Sequence, residues 1–489
     1  MSLASRPPSA PHSPLPSPPR APNSPGRRAS SGPADRATVL AGQLAALLFV
    51  AIALSPAFFA VVVWDRSGDG TLPATAWGQA RAEMSTALWR LHAGQLYGSA
   101  VVLLASAVVL VALTGNRGRR GDTPLIAAFL ALYAAPVVSG VLGEHGGADN
   151  WRLWLPPLVL LAFYLAPSTG LTVLLGRARL VLRCYTWGSL AALLAVPDWA
   201  ITASRNANFS LEEFTPGGRL SGLATHPVML GVMVAMALVL ECVPLVRTRW
   251  WALHGTVAAV TLLLAQSRTA WIMTLVGLLF LYRREVAHRV HPVFVRLMAA
   301  GTAACGLLLV PGVPEQLVRL SQDQEMTTLH GRNLTWQAVF EAFHTNVWLG
   351  YGPALFDDPL SPVHLAYDHA HNQLLHTLGI AGLLGAVVLA VLLAVVVVTA
   401  VRVAPAGAGL SLCLAGLLLV ACVPDVPLRG AGFSPYLLLN VLVFTVLRES
   451  GAGNAAGAGS REEPAPEGAR SGRGGAGAER PGQVRSATR

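Results

Sequence analysis

Residues 379–401 read GIAGLLGAVVLAVLLAVVVVTAV, a continuous apolar stretch without a charged side chain. An α-helix needs about 20 such residues to cross the ~30 Å hydrocarbon core of a bilayer. Because no water reaches the backbone groups there, a single stretch of this kind can span the bilayer only as a helix. The stretch therefore predicts a transmembrane helix.

Similar apolar stretches recur along the chain, and they predict an all-α integral membrane protein with about 12 transmembrane helices. The first begins near Ala37, which is too late and too long for the apolar core of a cleavable signal peptide. The predicted spans are residues 38–63, 95–114, 123–143, 153–170, 180–196, 220–246, 250–266, 269–282, 293–311, 379–401, 405–423 and 432–447.

The composition agrees with a membrane protein. Hydrophobic residues make up 53% of the chain and charged residues 12%, whereas soluble domains carry about 25% charged residues. Residues 1–36 (five Arg, one Asp) and 450–489 (six Arg, four Glu) contribute +6 of the net charge of +10. Both segments are rich in Pro, Ser, Gly or Ala and are predicted to be disordered cytoplasmic tails. No nucleic-acid partner is indicated, because the basic charge is not gathered in a folded patch.

Arginine placement predicts the orientation of residues 37–449, the polytopic membrane domain, because short cytoplasmic loops are rich in Arg. With the N-terminus inside, the inner connections hold fourteen Arg and three acidic residues, and the remaining connections hold ten Arg and sixteen acidic residues. Both termini are therefore predicted to be cytoplasmic. The large extracytoplasmic loop between spans 9 and 10, residues 312–370, is long enough to be functional, which predicts a site on the outer face.

Three outer-face arginines have no evident role in topology. Arg268 follows Ser267 in a turn between two apolar stretches, where a charge is costly unless an anion or lipid headgroups receive it. Arg332 lies in the outer loop, at the start of a short amphipathic helix predicted over residues 331–343. A guanidinium can grip phosphate oxygens in pairs, and Arg219, before span six, has the same chemistry. Each could instead be a solvated surface charge.

A histidine-rich segment follows the outer loop. On a helix, Asp368 and His371 would share a face, so the carboxylate could orient the imidazole and stabilise its protonated form, as a general base requires. His369 would then point away from His371, which makes the two a poor pair for a metal. A structural histidine and a metal site stay open as alternatives. The candidate metal ligands are His364, Asp368, His369 and His376. The five cysteines form no CxxC pair and predict neither a disulfide nor a zinc site.

Four short motifs follow one another between residues 215 and 400. They are Gln266-Ser267-Arg268-Thr269, Arg332 with Trp336, Leu349-Gly350-Tyr351-Gly352, and His371-Asn372 followed by Leu375, Leu378, Gly382 and Gly385. Their order and spacing resemble the O-antigen ligase and polymerase family, whose members are integral membrane glycosyltransferases. The chain departs from the family at Ile380, where members often have an acidic residue.

The resemblance implies a GT-C-like fold and transfer of an oligosaccharide from a polyprenyl (undecaprenyl) diphosphate donor to an acceptor hydroxyl. The reaction would take place on the outer face of the plasma membrane, in surface polysaccharide biosynthesis of the cell envelope. The resemblance also implies inversion at the anomeric carbon, with no metal and no other cofactor. A ligase and a polymerase both fit, and the acceptor could be a glycan, a lipid or a protein.

The same resemblance implies that Arg268 and Arg332 bind the donor diphosphate and that His371 accepts the proton from the hydroxyl. Arg219 joins them as a further outer-face cation. The expected supporting residues are Ser267, Asp368, Asn372, Trp336, Gly350 and Gly352. The rival prediction is a transporter or flippase for a lipid-linked or anionic glycan, which would need ionisable residues at mid-span depth. Glu241, near the inner end of span six, is the main residue of that kind.

Overall fold

A computed structural model describes most of the apolar segments of the chain. It covers residues 33–58, 123–143, 155–168, 170–203, 218–282, 332–356, 369–405, 409–429 and 434–459, with the single residues 153, 361 and 363. The spans predicted at 95–114 and 293–311 lie outside the described residues. The mostly helical architecture is compatible with an all-α membrane protein, while the number of spans and their orientation stay predictions.

Eleven helices of more than ten residues form the described part of the chain. They are α1 (Pro33–Phe58), α2 (Thr123–Leu142), α3 (Leu155–Leu165), α4 (Leu171–Ala195), α5 (Pro227–Cys242), α6 (Trp251–Ala265), α7 (Arg268–Tyr282), α8 (Arg332–Thr345), α9 (Gln373–Val403), α10 (Leu410–Ala421) and α11 (Pro435–Gly459). Short helical turns cover Pro197–Ala200, Pro244–Val246 and Pro353–Phe356. The helices α1 and α11 run past the boundaries predicted for the disordered tails, since α1 begins at Pro33 and α11 ends at Gly459.

A two-stranded antiparallel ribbon lies between α4 and α5. Its strands are β1 (Ile201–Ala203) and β2 (Gly218–Leu220), and Thr202 pairs with Arg219. The next helix, α5, begins only at Pro227, where proline suits the first helical position because its missing N–H would lack a helical partner anyway. The prediction that span six starts next to Arg219 was therefore wrong, because Arg219 lies on a strand.

The helix α5 forms the centre of the packing. Nearly all of its residues are buried, as expected of a helix that is apolar on every side. It contacts α4, α6 and α7, while α7 also packs on α10 and α9 packs on α2 and α8. The ends of these helices therefore bring the segments after β2, before α7 and before α9 close together.

The longest helix, α9, exposes apolar side chains along one side. Leu384, Val387, Val391 and Val398 are 37 to 61% exposed. An apolar stripe of this kind suits contact with lipid far better than contact with water. By length and composition, α2 and α9 are able to cross a membrane, and six other apolar helices of the described residues are 10 to 17 residues long.

Helix α9 is broken near its start at Gly382, which has a φ of 58° and a ψ of −151°. The backbone of residues 347–351 fills the break. Tyr351 N–H donates to the Gly379 carbonyl (2.8 Å), and Leu383 N–H donates to the Val347 carbonyl (2.9 Å). Beyond the break, residues 383–403 rise about 31 Å at ~1.5 Å per residue, which matches the hydrocarbon thickness. The predicted span at 379–401 therefore covers most of the part of α9 that follows the break, together with the few residues just before it.

The end of the bundle predicted to face the cytoplasm holds a bidentate ion pair. Arg183 Nε and Nη2 lie 2.5 and 2.6 Å from the two carboxylate oxygens of Glu241. Arg183 belongs to α4, which begins at Leu171, so the predicted inner connection between spans four and five is largely helical. Glu241 is 1% exposed, and because both its oxygens are paired it has a structural role at this end.

Candidate active site

An arginine corner, made of Arg219, Gln266 and Arg268, lies where α6 ends and α7 begins. The helix α6 ends at Ala265, and the next residue, Gln266, has a φ of 49° that turns the chain sharply. Arg219 donates from Nε to the Ala265 carbonyl (3.3 Å) and from Nη2 to the Gln266 carbonyl (2.9 Å). A cation is favourable at these carbonyls because they form the negative end of the helix dipole. Arg219 therefore stabilises the turn that presents Arg268.

Arg268 is exposed at the first position of α7. Ser267, which is buried, accepts a hydrogen bond from the Ala270 N–H at 3.4 Å and so caps this helix. A cation at a helix N-terminus opposes the dipole. Burial, and then the nearby charge of Arg268, lower the pKa of Arg219. Two guanidinium groups and a helix N-terminus therefore create a positive surface that an anion would stabilise.

The histidine segment, residues 369–372, is not helical, and α9 begins only after it. Asn372 caps α9 by accepting from the Leu375 N–H (3.0 Å), and its amide donates to the Val423 carbonyl (2.9 Å). His371 has a φ of 51°, a left-handed conformation that costs a non-glycine residue about 1 kcal/mol or more and that is frequent at functional sites. The expected helical spacing of this segment was therefore wrong.

The two histidines of the segment lie together instead of on opposite faces. The ring centroids of His369 and His371 are 4.1 Å apart. Trp336 of α8 donates from Nε1 to the carbonyl of Ala370, between the two histidines, at 2.7 Å. The helix predicted over residues 331–343 is present as α8, and its Trp336 supports the histidine segment directly.

Asp425, in the connection after α10, supplies a carboxylate to this segment. Its Oδ1 lies 3.2 Å from His369 Nε2 and accepts from the Val426 N–H (2.8 Å), while Tyr436 Oη donates to Oδ2 (2.7 Å). Burial of the carboxyl raises its pKa, but the hydrogen bond and charge of His369, with the bonds from Tyr436 and Val426, lower the pKa overall, to about 2. Asp425 is therefore an anion at any physiological pH.

His226 connects the arginine corner with the histidine segment. It caps α5 by accepting from the Val228 N–H at Nδ1 (3.2 Å). Removal of water by the surrounding protein, and then the charge of Arg219, lower the pKa of His226 to about 4. The charge of Asp425 acts in the opposite direction, and that of His369 lowers the pKa further. His226 is nevertheless an exposed residue, and charges of both groups act on it.

The two loop glycines have a structural function. Gly350 has a φ of 68°, and a side chain there would come within 2.6 Å of the Gly379 carbonyl oxygen. Gly352, with a φ of 102°, follows it into the short turn before Phe356. Both are needed for the loop backbone to pack into the break of α9, where Ser139 also donates to the Leu349 carbonyl. The positive φ of both glycines is what a tight turn of this loop requires, and a role beside the donor stays a prediction.

Three of the expected site residues lie partly or wholly outside the described residues. Asp368 and His364 lie outside the described residues, and of Arg332 only its position as the first residue of α8 is described. His376 is described, and its ring stacks on Phe356 with centroids 4.9 Å apart.

Sequence reasoning missed Asp425 and His226. Asp425 is the only acidic residue in VPDVPLRG, a short proline-flanked connection between two apolar stretches. His226 precedes a proline that starts a helix. An ionisable residue close to the end of a predicted span was the available signal for both.

Comparison with known proteins gives a match to a protein-family model. Residues 253–390 match the family model described as O-antigen ligase. The matched region contains Arg268, Arg332 and His371, whereas Arg219 and Asp425 lie outside it. No curated protein matches the chain significantly. Over residues 253–390 the chain is therefore similar to the O-antigen ligase family, which confirms the resemblance drawn from its motifs.

Proposed function

We propose that this chain is a metal-independent, inverting glycosyltransferase that transfers or polymerises a polyprenyl diphosphate-linked oligosaccharide onto an acceptor hydroxyl at the outer face of the plasma membrane. The family match supports an O-antigen ligase-like membrane protein of surface polysaccharide biosynthesis. The observation that carries the finer proposal is the arginine corner, in which Arg219 binds the Ala265 and Gln266 carbonyls and so holds the turn that presents the exposed Arg268 at the start of α7.

The arginine corner is the proposed site of the donor diphosphate. Arg268 is exposed there at the positive end of α7, and Arg219 adds a second fixed positive charge. Charge that develops on the leaving diphosphate would be stabilised by these preorganised groups without a metal. Arg332 begins the helix whose Trp336 contacts the histidine segment, so it is proposed as the third cation on the donor.

His371 is the proposed general base. In a single displacement, the acceptor oxygen bonds to the anomeric carbon while the bond from that carbon to the diphosphate breaks, which inverts the configuration. The hydroxyl proton passes to a ring nitrogen of His371, and the polyprenyl diphosphate leaves as an anion held by the arginines. Proton transfer to a positioned base contributes typically 10² to 10⁴ in rate.

Asp425 is proposed to orient the histidines, a role that the sequence analysis gave to Asp368, which lies outside the described residues. Its carboxylate holds His369 at Nε2, and the ring of His369 lies against that of His371. The negative charge stabilises protons on this pair, so it favours the protonated product of the transfer step. Asp425 and His369 are therefore positioning residues in this proposal, and Asn372, whose polar atoms bind backbone groups, stabilises the start of α9.

The transporter alternative has less support from the charges of the described residues. Glu241 is bound on both oxygens by Arg183, near the end of α5 that is distant from the arginine corner. An ionisable residue used for alternating access would be expected close to mid-span. The exposed cation of interest, Arg268, instead lies at a helix end.

The test is glycan transfer by the purified protein in liposomes supplied with a polyprenyl diphosphate oligosaccharide. Replacing Arg268, Arg332 or His371 by Ala should lower the turnover at least a hundredfold while the protein remains in the membrane. Arg402→Ala is the matched control, because Arg402 is exposed at the opposite end of α9. Wild-type activity in all three variants would overturn the proposal, and so would loss of activity when a chelator is added.

A further inference from the structure

Three potential metal ligands meet at the histidine segment. One ligand atom each from His369, His371 and Asp425 lies within 4.8 Å of the others. Two imidazole nitrogens and one carboxylate oxygen form a donor set that Zn²⁺, Co²⁺ and Ni²⁺ accept. This set differs from the one considered from sequence, because the carboxylate comes from the connection after α10 and the two histidines lie in a bend.

The distance between two of the three ligand atoms already suits a tetrahedral ion. Ligands at about 2.0 to 2.2 Å from tetrahedral zinc lie roughly 3.3 to 3.6 Å apart, and His369 Nε2 is 3.2 Å from Asp425 Oδ1. The rings of His369 and His371 are tilted by 54°, and ligand atoms that lie up to 4.8 Å apart have to approach one another to share one ion. Three protein ligands would leave the fourth position to water.

The groups around Asp425 hold its carboxylate in place, as a metal ligand requires. Tyr436 and the Val426 N–H hold the carboxylate in place, which is how outer groups orient metal-binding carboxylates. The positive charge of Arg219, which acts on the neighbouring His226, opposes a cation and should keep the affinity moderate.

We propose that His369, His371 and Asp425 form a binding site for a transition-metal ion such as Zn²⁺, and that the bound ion inhibits the enzyme. The ion occupies the lone pair of His371 that would otherwise accept the proton of the acceptor hydroxyl. Only the inhibition depends on the proposed function, since binding of the ion can be measured without any turnover.

The binding test uses the full-length protein in detergent, freed of metal and titrated with Zn²⁺ by calorimetry and with Co²⁺ by visible absorption. One ion per chain is expected. His369→Gln and Asp425→Asn should each weaken binding at least tenfold, whereas His344→Gln, which removes an exposed histidine of α8, should not. The folded state of each variant is checked by size-exclusion chromatography, and His371→Gln is a second ligand variant if Asp425→Asn does not fold.

The activity test adds Zn²⁺ to the transfer assay and then removes it with a chelator. Loss of turnover that the chelator reverses supports the proposal, and stimulation by Zn²⁺ overturns the inhibitory role. Absence of Zn²⁺ binding to the wild type, or equal affinity in all variants, overturns the site. If the protein transfers no glycan at all, the proposed function fails while the binding test still decides the site.

Discussion

His369 Nε2 lies 3.2 Å from Asp425 Oδ1, so the segment before α9 is tied to the connection between α10 and α11. The same two segments are joined by hydrogen bonds from Asn372 to the Val423 carbonyl and from the Gln373 N–H to the Cys422 carbonyl. The contact between His369 and Asp425 is therefore part of a preformed junction that holds the histidine segment in place.

Asp425→Asn should reduce catalysis without reducing donor binding. The amide preserves the size of the side chain but removes the negative charge that stabilises a proton on the two histidines. We expect kcat to fall on the order of tenfold or more with an almost unchanged KM for the donor, and the acid side of the pH profile to shift. Arg268→Ala should instead raise that KM. An Asp425→Asn variant with unchanged kcat and pH profile would contradict the positioning role.

Trp336→Phe tests the support of the histidine segment by α8. Phenylalanine keeps an aromatic ring but removes the indole N–H that donates to the buried Ala370 carbonyl at 2.7 Å. One such bond is worth about 1 kcal/mol, so kcat should fall roughly threefold to tenfold. Trp348→Phe is the control, since Trp348 lies just after α8 and is 72% exposed. Equal effects of the two substitutions would argue against a specific role of Trp336.

Gly382→Ala should destabilise the protein strongly. The φ of 58° is unfavourable for alanine, and the added Cβ would lie 2.5 Å from the backbone of Trp348. We expect a loss of at least about 3 kcal/mol, seen as a lower unfolding temperature in detergent. Gly176→Ala is the matched control on α4, where a Cβ meets no atom within 4 Å and alanine favours the helix by about 1 kcal/mol. Similar unfolding temperatures for both variants would contradict the packing described here.

His226→Asn should change how stability depends on pH. The pKa of His226 is about 4 in the folded chain, against ~6.5 in an unfolded chain. Between these values the unfolded state binds the additional proton, so the wild type loses stability as the pH falls from 6.5 to 4. Asparagine can still cap α5 but does not titrate. The unfolding temperature of the wild type should therefore fall more steeply with acid than that of the variant, and parallel curves would disprove the assignment.

Most of the described helices could be predicted from the sequence because apolar length is a local signal. The helix α8, the glycine turn and the exposed position of Arg268 follow from such signals. The pairing of His369 with Asp425 could not be predicted, since it depends on how α9 and α10 pack. The helical spacing assumed for Asp368 and His371 was wrong because Asn372 caps α9 and leaves the histidines in a bend. Arg219 was placed at a span end because nothing in its neighbourhood marks a three-residue strand.

The break at Gly382 has a consequence for how this region can be exchanged between related chains. Residues 347–351 provide backbone partners that α9 lacks at its break, so the outer loop and the helix form a single folding unit. A chimera that takes the loop from one relative and α9 from another would separate hydrogen-bond partners and shift the histidine segment. Chimeras that exchange residues 332–403 as one block should keep both intact, and junctions inside that block should yield unfolded or inactive protein.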